Sequence, residues 1–385
     1  MGRVKEGMAV SGRDKRVKNT SGLAPLVLHV FPTFAPGGVQ LRIAKIMEQL
    51  GGAYRHQILA LDGNQSASLH LSDMVEAGFV DPEFAQSGLG SVLALRRFLR
   101  RLAPDLLCTY NWGAMDWALA GRFTALPHLH FESGFGPEEA EKPLRRRSLM
   151  RRLALSKVHK LVVPSHSLYR LALFEKWVLP KRLMLIPNGV DTAWFRRPGK
   201  QADHINRFNV VSVAPLRPEK RLDRLLTAFA QFLPTNPEAQ LILLGEGQCR
   251  PALEDQAKAL GIAGHVQFKG HVADIRPMLF EADLFAMTSQ TEQMPNALLQ
   301  AMAAGLPVLA YDAGDIARIV PIKARSFVYP QEDASGFRQG LMHLARDWPL
   351  RQKLGELCRQ QAVTHYDLPQ MVAAYGALYQ DALDR

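Results

Sequence analysis

Cysteine is scarce in this 385-residue chain: Cys108, Cys249 and Cys358 are odd in number and far apart. They build no disulfide framework, and no Cys-x-x-Cys pair suggests a zinc site. The expectation is three reduced thiols in a cytoplasmic protein. Long apolar runs are missing as well, which leaves no candidate for a bilayer span. Residues 1–24 are basic and polar, with Gly2, Gly12 and Gly22 among lysines and arginines. They lack the apolar stretch and cleavage site of a signal peptide and read as a disordered basic tail. Glu6 stands where myristoylation of Gly2 would want Ser or Thr. Aromatic residues are not interleaved with the basic runs, so a nucleic-acid partner would rest on charge alone and is not expected. No Asp-x-Asp pair stands at a strand end, so neither metal nor cofactor is expected.

What is present is a soluble, globular composition, 47% apolar and 22% charged, with a net charge of +11 that favours phosphates or anionic surfaces. The length suggests two domains. The run Leu26 to Phe31 reads as a buried strand. Pro36-Gly37-Gly38 breaks it, and an amphipathic helix follows through Val39, Ile43, Met47 and Leu50. Strands and helices alternate from there. Residues 196–208 are polar and aperiodic, which reads as a linker, and a second alternating series starts at Asn209. Alternation of this kind predicts α/β architecture: two Rossmann-like, doubly wound parallel-sheet domains, about 25–190 and 205–367, with ligands at the strands' carboxyl ends in the cleft between them.

The candidate binding groups follow strands. Gly37-Gly38 is a turn whose backbone can approach a ligand, and the next helix aims its first N–H groups at the same place. After Val213 come Arg217, Lys220 and Arg221, cations able to neutralise a diphosphate. Gly245-Glu246-Gly247 and Lys269-Gly270-His271 are later turns at the same sheet edge, with His271 a candidate neighbour for a base. In SQTEQMPNALLQAM, Pro295 suits the first helical position. The N–H groups near Asn296 and Ala297 then face a diphosphate, Glu292 reaches sugar hydroxyls, and Gln300 reaches the ribose.

These segments, LILLGEG, FKGHVADI and SQTEQMPNALLQAMAAGLPVLAYDAGDIARIV, with Ile186-Pro187-Asn188-Gly189-Val190-Asp191 and Gly37-Gly38, resemble the retaining glycosyltransferases of the family-4 type with the GT-B fold. The resemblance runs from Pro25 to the end. It implies a donor-binding second domain and an acceptor-binding first domain, with a C-terminal helix (about 368–385) returning to the first. It implies a nucleotide-diphosphate sugar as donor, a glycan or lipid-linked acceptor, and retention of configuration. It also implies catalytic roles for Lys220, on the diphosphate, for Glu292, on the transferred sugar, and for His130, with Glu132 a neighbouring candidate. Two departures stand out: Pro215 replaces the family's arginine, with Arg217 the candidate substitute, and Gln300 replaces a ribose-binding glutamate.

The basic helix from Pro143 to about His159, together with Arg96, Arg97, Arg100 and Arg101, has two readings: a solvated face, or a peripheral contact with the inner face of a membrane. Two rivals share the architecture, a nucleotide-sugar epimerase and a non-catalytic nucleotide-sugar-binding protein.

Overall fold

The computed structural model describes residues 23–72, 75–80, 89–134, 139, 144–199 and 207–384. The basic tail (residues 1–22), most of the Pro143 end of the basic helix and the middle of the linker lie outside the described residues.

Among the described residues, thirteen strands form two all-parallel sheets. The first holds β1 (Leu26–Phe31), β2 (Arg55–Ala60), β3 (Ala77–Phe79), β4 (Leu106–Tyr110), β5 (His128–Phe131), β6 (Lys160–Val163) and β7 (Leu183–Leu185), in the order β3-β2-β1-β4-β5-β6-β7. The second holds β8 (Asn209–Val213), β9 (Gln240–Leu244), β10 (Val266–Gly270), β11 (Leu284–Met287), β12 (Val308–Tyr311) and β13 (Val328–Tyr329), in the order β10-β9-β8-β11-β12-β13. Central strands such as β4 and β11 are buried along their whole length, as a sheet covered by helices on both faces requires. The strand order reverses between β1 and β4 and between β8 and β11, so each sheet has its crevice there. This is the GT-B arrangement of two doubly wound domains.

The edge strands β3 and β13 have no counterpart in the sequence pattern. Ala-Gly-Phe and Val-Tyr are too short to show alternation, and short edges are a common protection against edge-to-edge pairing. The helix Ala334–Arg346, capped by Asp333 on the Gly336 N–H, was also absent from the sequence reading.

The chain crosses between domains twice, and the crossings pair. Val190 N–H donates to the Tyr366 carbonyl at 2.8 Å, and Leu368 N–H to the Val190 carbonyl at 2.9 Å. A Cβ on Gly189 would sit 3.0 Å from Leu368 and from Met371, so the crossing is tight. Beyond it, the helix Leu368–Leu383 returns to the first domain. Its Met371, Tyr375, Leu378 and Tyr379 are buried against Val27, Phe31, Cys108 and Phe131. Burying side chains of this size is worth about 1.5–3 kcal/mol each, enough to hold the two crossings together.

Candidate active site

A cleft of about 370 Å³ opens between the carboxyl edges of the two sheets. Its C-terminal wall is Ala214, Pro215, Lys220, Glu292 and Met294 to Ala297. Its N-terminal wall is Gly38, Gln40, Arg42, Asn111 and Ser133, and the crossover residue Asn188 joins the two.

Lys220 ends a short 3-10 turn, Pro218–Lys220, just past β8. Its Nζ lies 2.6 Å from Glu292 Oε1, and both side chains are mostly buried. The turn is held to the Glu292 loop by Gln290 N–H on the Glu219 carbonyl (2.8 Å) and Thr288 Oγ1 on the Lys220 carbonyl (3.1 Å). Gly314 fixes the loop from behind. Its φ is +59°, and a Cβ there would lie 1.8 Å from the Glu292 carbonyl oxygen. Pro295 is the N-cap rather than the first helical residue, because its ψ of 119° keeps it extended; the helix is Asn296–Ala303. No side chain caps that helix or Gly38–Leu50. Both uncapped N-termini border the cleft, so partial positive charge joins Lys220 and Arg42 there.

A polar chain crosses the floor. Asn111 Oδ1 accepts the Ser133 N–H at 2.9 Å, and Arg42 donates to Ser133 Oγ at 2.9 Å and to Asn188 Oδ1. Asn188 Nδ2 then donates to the Met294 carbonyl (2.9 Å) and Asn296 Oδ1 (3.1 Å). Asn111 sits at φ 55°, a conformation uncommon outside glycine that often marks functional sites. Nearby, the Asp315 carboxylate of the second domain accepts the Ser167 N–H of the first at 2.9 Å.

The structure thus brings together Gly38, Lys220, Glu292, Pro295, Asn296 and Ala297, and leaves other sequence candidates outside the cleft lining. His130 is fully buried in β5, with its Nδ1 2.7 Å from Thr109 Oγ1, which also bonds His128. Glu132 is buried 3.3 Å from Arg151, whose guanidinium forks onto Glu139 with two bonds of 3.0 Å. Burial pushes the Glu139 carboxyl up, but the bonds from Arg151, the Leu144 N–H and Arg147 prevail and leave its pKa below the usual value. Both N-terminal candidates therefore belong to the core under the wall. Arg217 and His271 are exposed and off the lining, and Gln300 is half-buried inside its helix and off it too. Gly37 is the N-cap beside the cleft.

Gly245 and Gly247 lie outside the cleft lining and pack closely against the loop that leads to Lys220. A Cβ on either would lie 2.0 Å from the Ala214 carbonyl or 2.4 Å from the Leu216 carbonyl. Their smallness lets the β9 turn press on the Pro215 turn that leads to Lys220. The sequence reading missed Arg42, Asn111 and Ser133. Asn111 and Ser133 follow the carboxyl ends of β4 and β5, the signal that position alone would have offered.

Among the described residues no helix is long and apolar enough to cross a membrane, and no cluster of three or more His, Cys, Asp or Glu is placed to hold a metal.

The profile of the family described as Glycosyl transferases group 1 matches residues 198–361, and that of Glycosyltransferase Family 4 matches residues 36–194. A phosphatidyl-myo-inositol mannosyltransferase of Mycolicibacterium smegmatis is 27% identical over 374 residues, 90% of each chain. The lipopolysaccharide core biosynthesis glycosyltransferase LpsE of Rhizobium meliloti is 29% identical over 166 residues, 43% of this chain and 48% of that one. The chain spans about half the length of several curated relatives that it matches. Among solved structures, Anabaena HepE in complex with UDP and glucose superposes with a TM-score of 0.77 at 18% identity, covering 93% of this chain and 100% of that one.

Proposed function

Because this chain belongs to the family-4 type of glycosyltransferases with the GT-B fold, we propose that it moves a sugar from a nucleotide-diphosphate donor to a glycan or lipid-linked acceptor. The observation that carries the reading is the Lys220–Glu292 pair, 2.6 Å apart beside the uncapped N-terminus of Asn296–Ala303. Lys220 is paired with the Glu292 carboxylate in this structure. A pyrophosphate gives Lys220 a better partner and frees Glu292 for sugar hydroxyls.

In the transfer, the bond from the anomeric carbon to the phosphate oxygen breaks and a bond to the acceptor oxygen forms. Negative charge grows on the departing phosphate, and fixed donors aimed at it lower the barrier. Lys220 and the N–H groups at Asn296 and Ala297 are those donors. The acceptor proton passes to the departing phosphate oxygen, on the same face, so configuration is retained. The charges needed come from the chain, and the scheme has no step for a metal ion. The names of the relatives support acceptors of surface polysaccharide, lipopolysaccharide or glycolipid synthesis. The active wall lies on the cytoplasmic side, where nucleotide sugars are available.

A thermal-shift panel of UDP-, GDP- and ADP-sugars tests the reading, since a ligand at a hundred times its Kd stabilises by about 2.7 kcal/mol. One donor class should raise the melting temperature and then yield glycosylated acceptor. An epimer formed from donor alone would support the epimerase instead. Stabilisation without any product would mean a binding protein. No shift with any nucleotide sugar would refute the proposal.

A further inference from the structure

We propose that the flank of the first domain built by Arg145–Leu155 and the end of His166–Phe174 docks on an anionic lipid surface. The inference is independent of the transfer chemistry.

Charge is the first observation. Residues 144–182 hold eleven lysines and arginines against one acid, Glu175, a net of +10 where the whole chain nets +11. The described structure sorts these charges by direction. Arg147 and Arg151 turn inward to Glu139. Arg145, Arg146 and Arg152 point outward, spaced so that they share one helical face with Leu149 and Leu153. Two of the helix's five arginines thus serve the core, and three form its outer face.

Apolar exposure is the second observation. Leu149 is 66% and Phe174 80% exposed, and Leu153 and Leu179 are exposed as well. They belong to one surface. Arg152 Nε donates to the Glu175 carbonyl at 2.7 Å, which puts the end of the second helix beside Leu149 and Leu153. Arg182 donates to the Ser156 and Val158 carbonyls at 3.0 and 2.8 Å, which brings Leu179 and Lys181 to the same side. The lone acid is occupied by Ser148 and Arg152.

Large apolar side chains set among arginines match the interface of a bilayer. The apolar groups enter the acyl boundary while the cations meet anionic headgroups. A nucleic-acid surface would call for cations and stacking aromatics, with no use for exposed leucines. In a parallel sheet every helix that follows a strand starts at the carboxyl edge, so Arg145 and Arg146 stand at the cleft end of their helix. Leu153, Phe174 and Leu179 lie toward the opposite edge of the sheet, so the face runs along the flank of the domain away from the cleft.

The test is sedimentation of the full chain with vesicles of phosphatidylcholine, with or without about a third phosphatidylglycerol, in about 0.1 and 0.5 M salt. The parent should bind anionic vesicles at least about tenfold more strongly than neutral ones, and less at high salt. The double variant Leu149→Ser, Phe174→Ser should lose about tenfold in binding while its donor-induced thermal shift stays unchanged. Ile322→Ser, which removes an equally exposed apolar group from the second domain, should bind like the parent. The proposal is overturned by any of three results: no binding to anionic vesicles, equal loss in Ile322→Ser, or binding that DNA displaces and the double variant leaves unaltered. A dimer in sedimentation velocity that Phe174→Ser dissolves, without vesicle binding, would identify the face as a self-association surface and overturn it too.

Discussion

On the C-terminal wall of the cleft the facing groups come from two short stretches, Ala214–Lys220 and Glu292–Ala297, whereas the N-terminal wall gathers Gly38, Arg42, Asn111 and Ser133 from behind β1, β4 and β5. The interiors differ in the same sense. The second sheet buries no histidine among the described residues, while the first buries His29, His56, His128 and His130 with Glu132 and Arg151. A pyrophosphate has the same geometry in every donor, and a helix N-terminus with one lysine can hold it. The N-terminal wall is assembled from residues that follow separate strands, and buried polar groups lie beneath it.

The largest expected effect breaks the comparison on the C-terminal side. Lys220→Ala should cut kcat/KM by about 10²–10³, as removal of one preorganised donor does elsewhere. The melting temperature should change by only a few degrees. Loss of transfer no greater than for Ser133→Ala would mean that the two walls are not specialised as described.

Acid should separate the two domains. Burial lowers the His56 pKa to about 4, and burial with repulsion from His130 lowers that of His128 to about 3. His29 is lowered by burial first and by His56 second, with the two rings 3.0 Å apart across one hydrogen bond. A histidine held neutral in the fold contributes stability that is complete above its unfolded pKa and is lost as pH falls toward the folded one. The first domain should thus weaken between pH 6.5 and about 4, by about 3 kcal/mol for a shift as large as that of His56. The second domain should hold over the same range. Denaturant melts followed by near-UV signals of the two domains would check this, and simultaneous weakening would contradict it.

Gly314→Ala should destabilise by about 1–3 kcal/mol and displace Glu292, because the new methyl meets the Glu292 carbonyl. Gly51→Ala, also at positive φ but with nothing within 4 Å, should cost about 1–3 kcal/mol of stability through backbone strain alone and leave transfer intact. Equal losses in activity would remove the claim that Gly314 seats the catalytic loop. The smallest effect is expected from EDTA, with transfer at the untreated rate. A requirement for added divalent cation would point to a different donor site.

Most of the fold was legible because buried parallel strands are short apolar runs: β1, β4, β8, β9 and β11 stand where the pattern put them. The edges β3 and β13 were not, since two or three residues carry no period. The C-terminal wall was legible for the reason already given, contiguity. Lys220, Glu292 and Asn296 lie in motifs that can each be read in one window, and Gly245 and Gly247 pack against the loop that carries Lys220. The N-terminal wall was not. Arg42 looks like any helix arginine until its bonds to Asn188 and Ser133 are seen. His130 came from the family resemblance, but it is fully buried on Thr109, and Ser133, three residues on, lines the cleft.

The central claim is that Lys220 and the start of Asn296–Ala303 hold a pyrophosphate. Calorimetric titration of the donor's nucleoside diphosphate and monophosphate into the parent and Lys220→Ala tests it most directly. The account predicts that the variant weakens the diphosphate by about tenfold or more, the worth of one charge-assisted bond, and leaves the monophosphate nearly unchanged. Equal diphosphate affinities in the two proteins would contradict it.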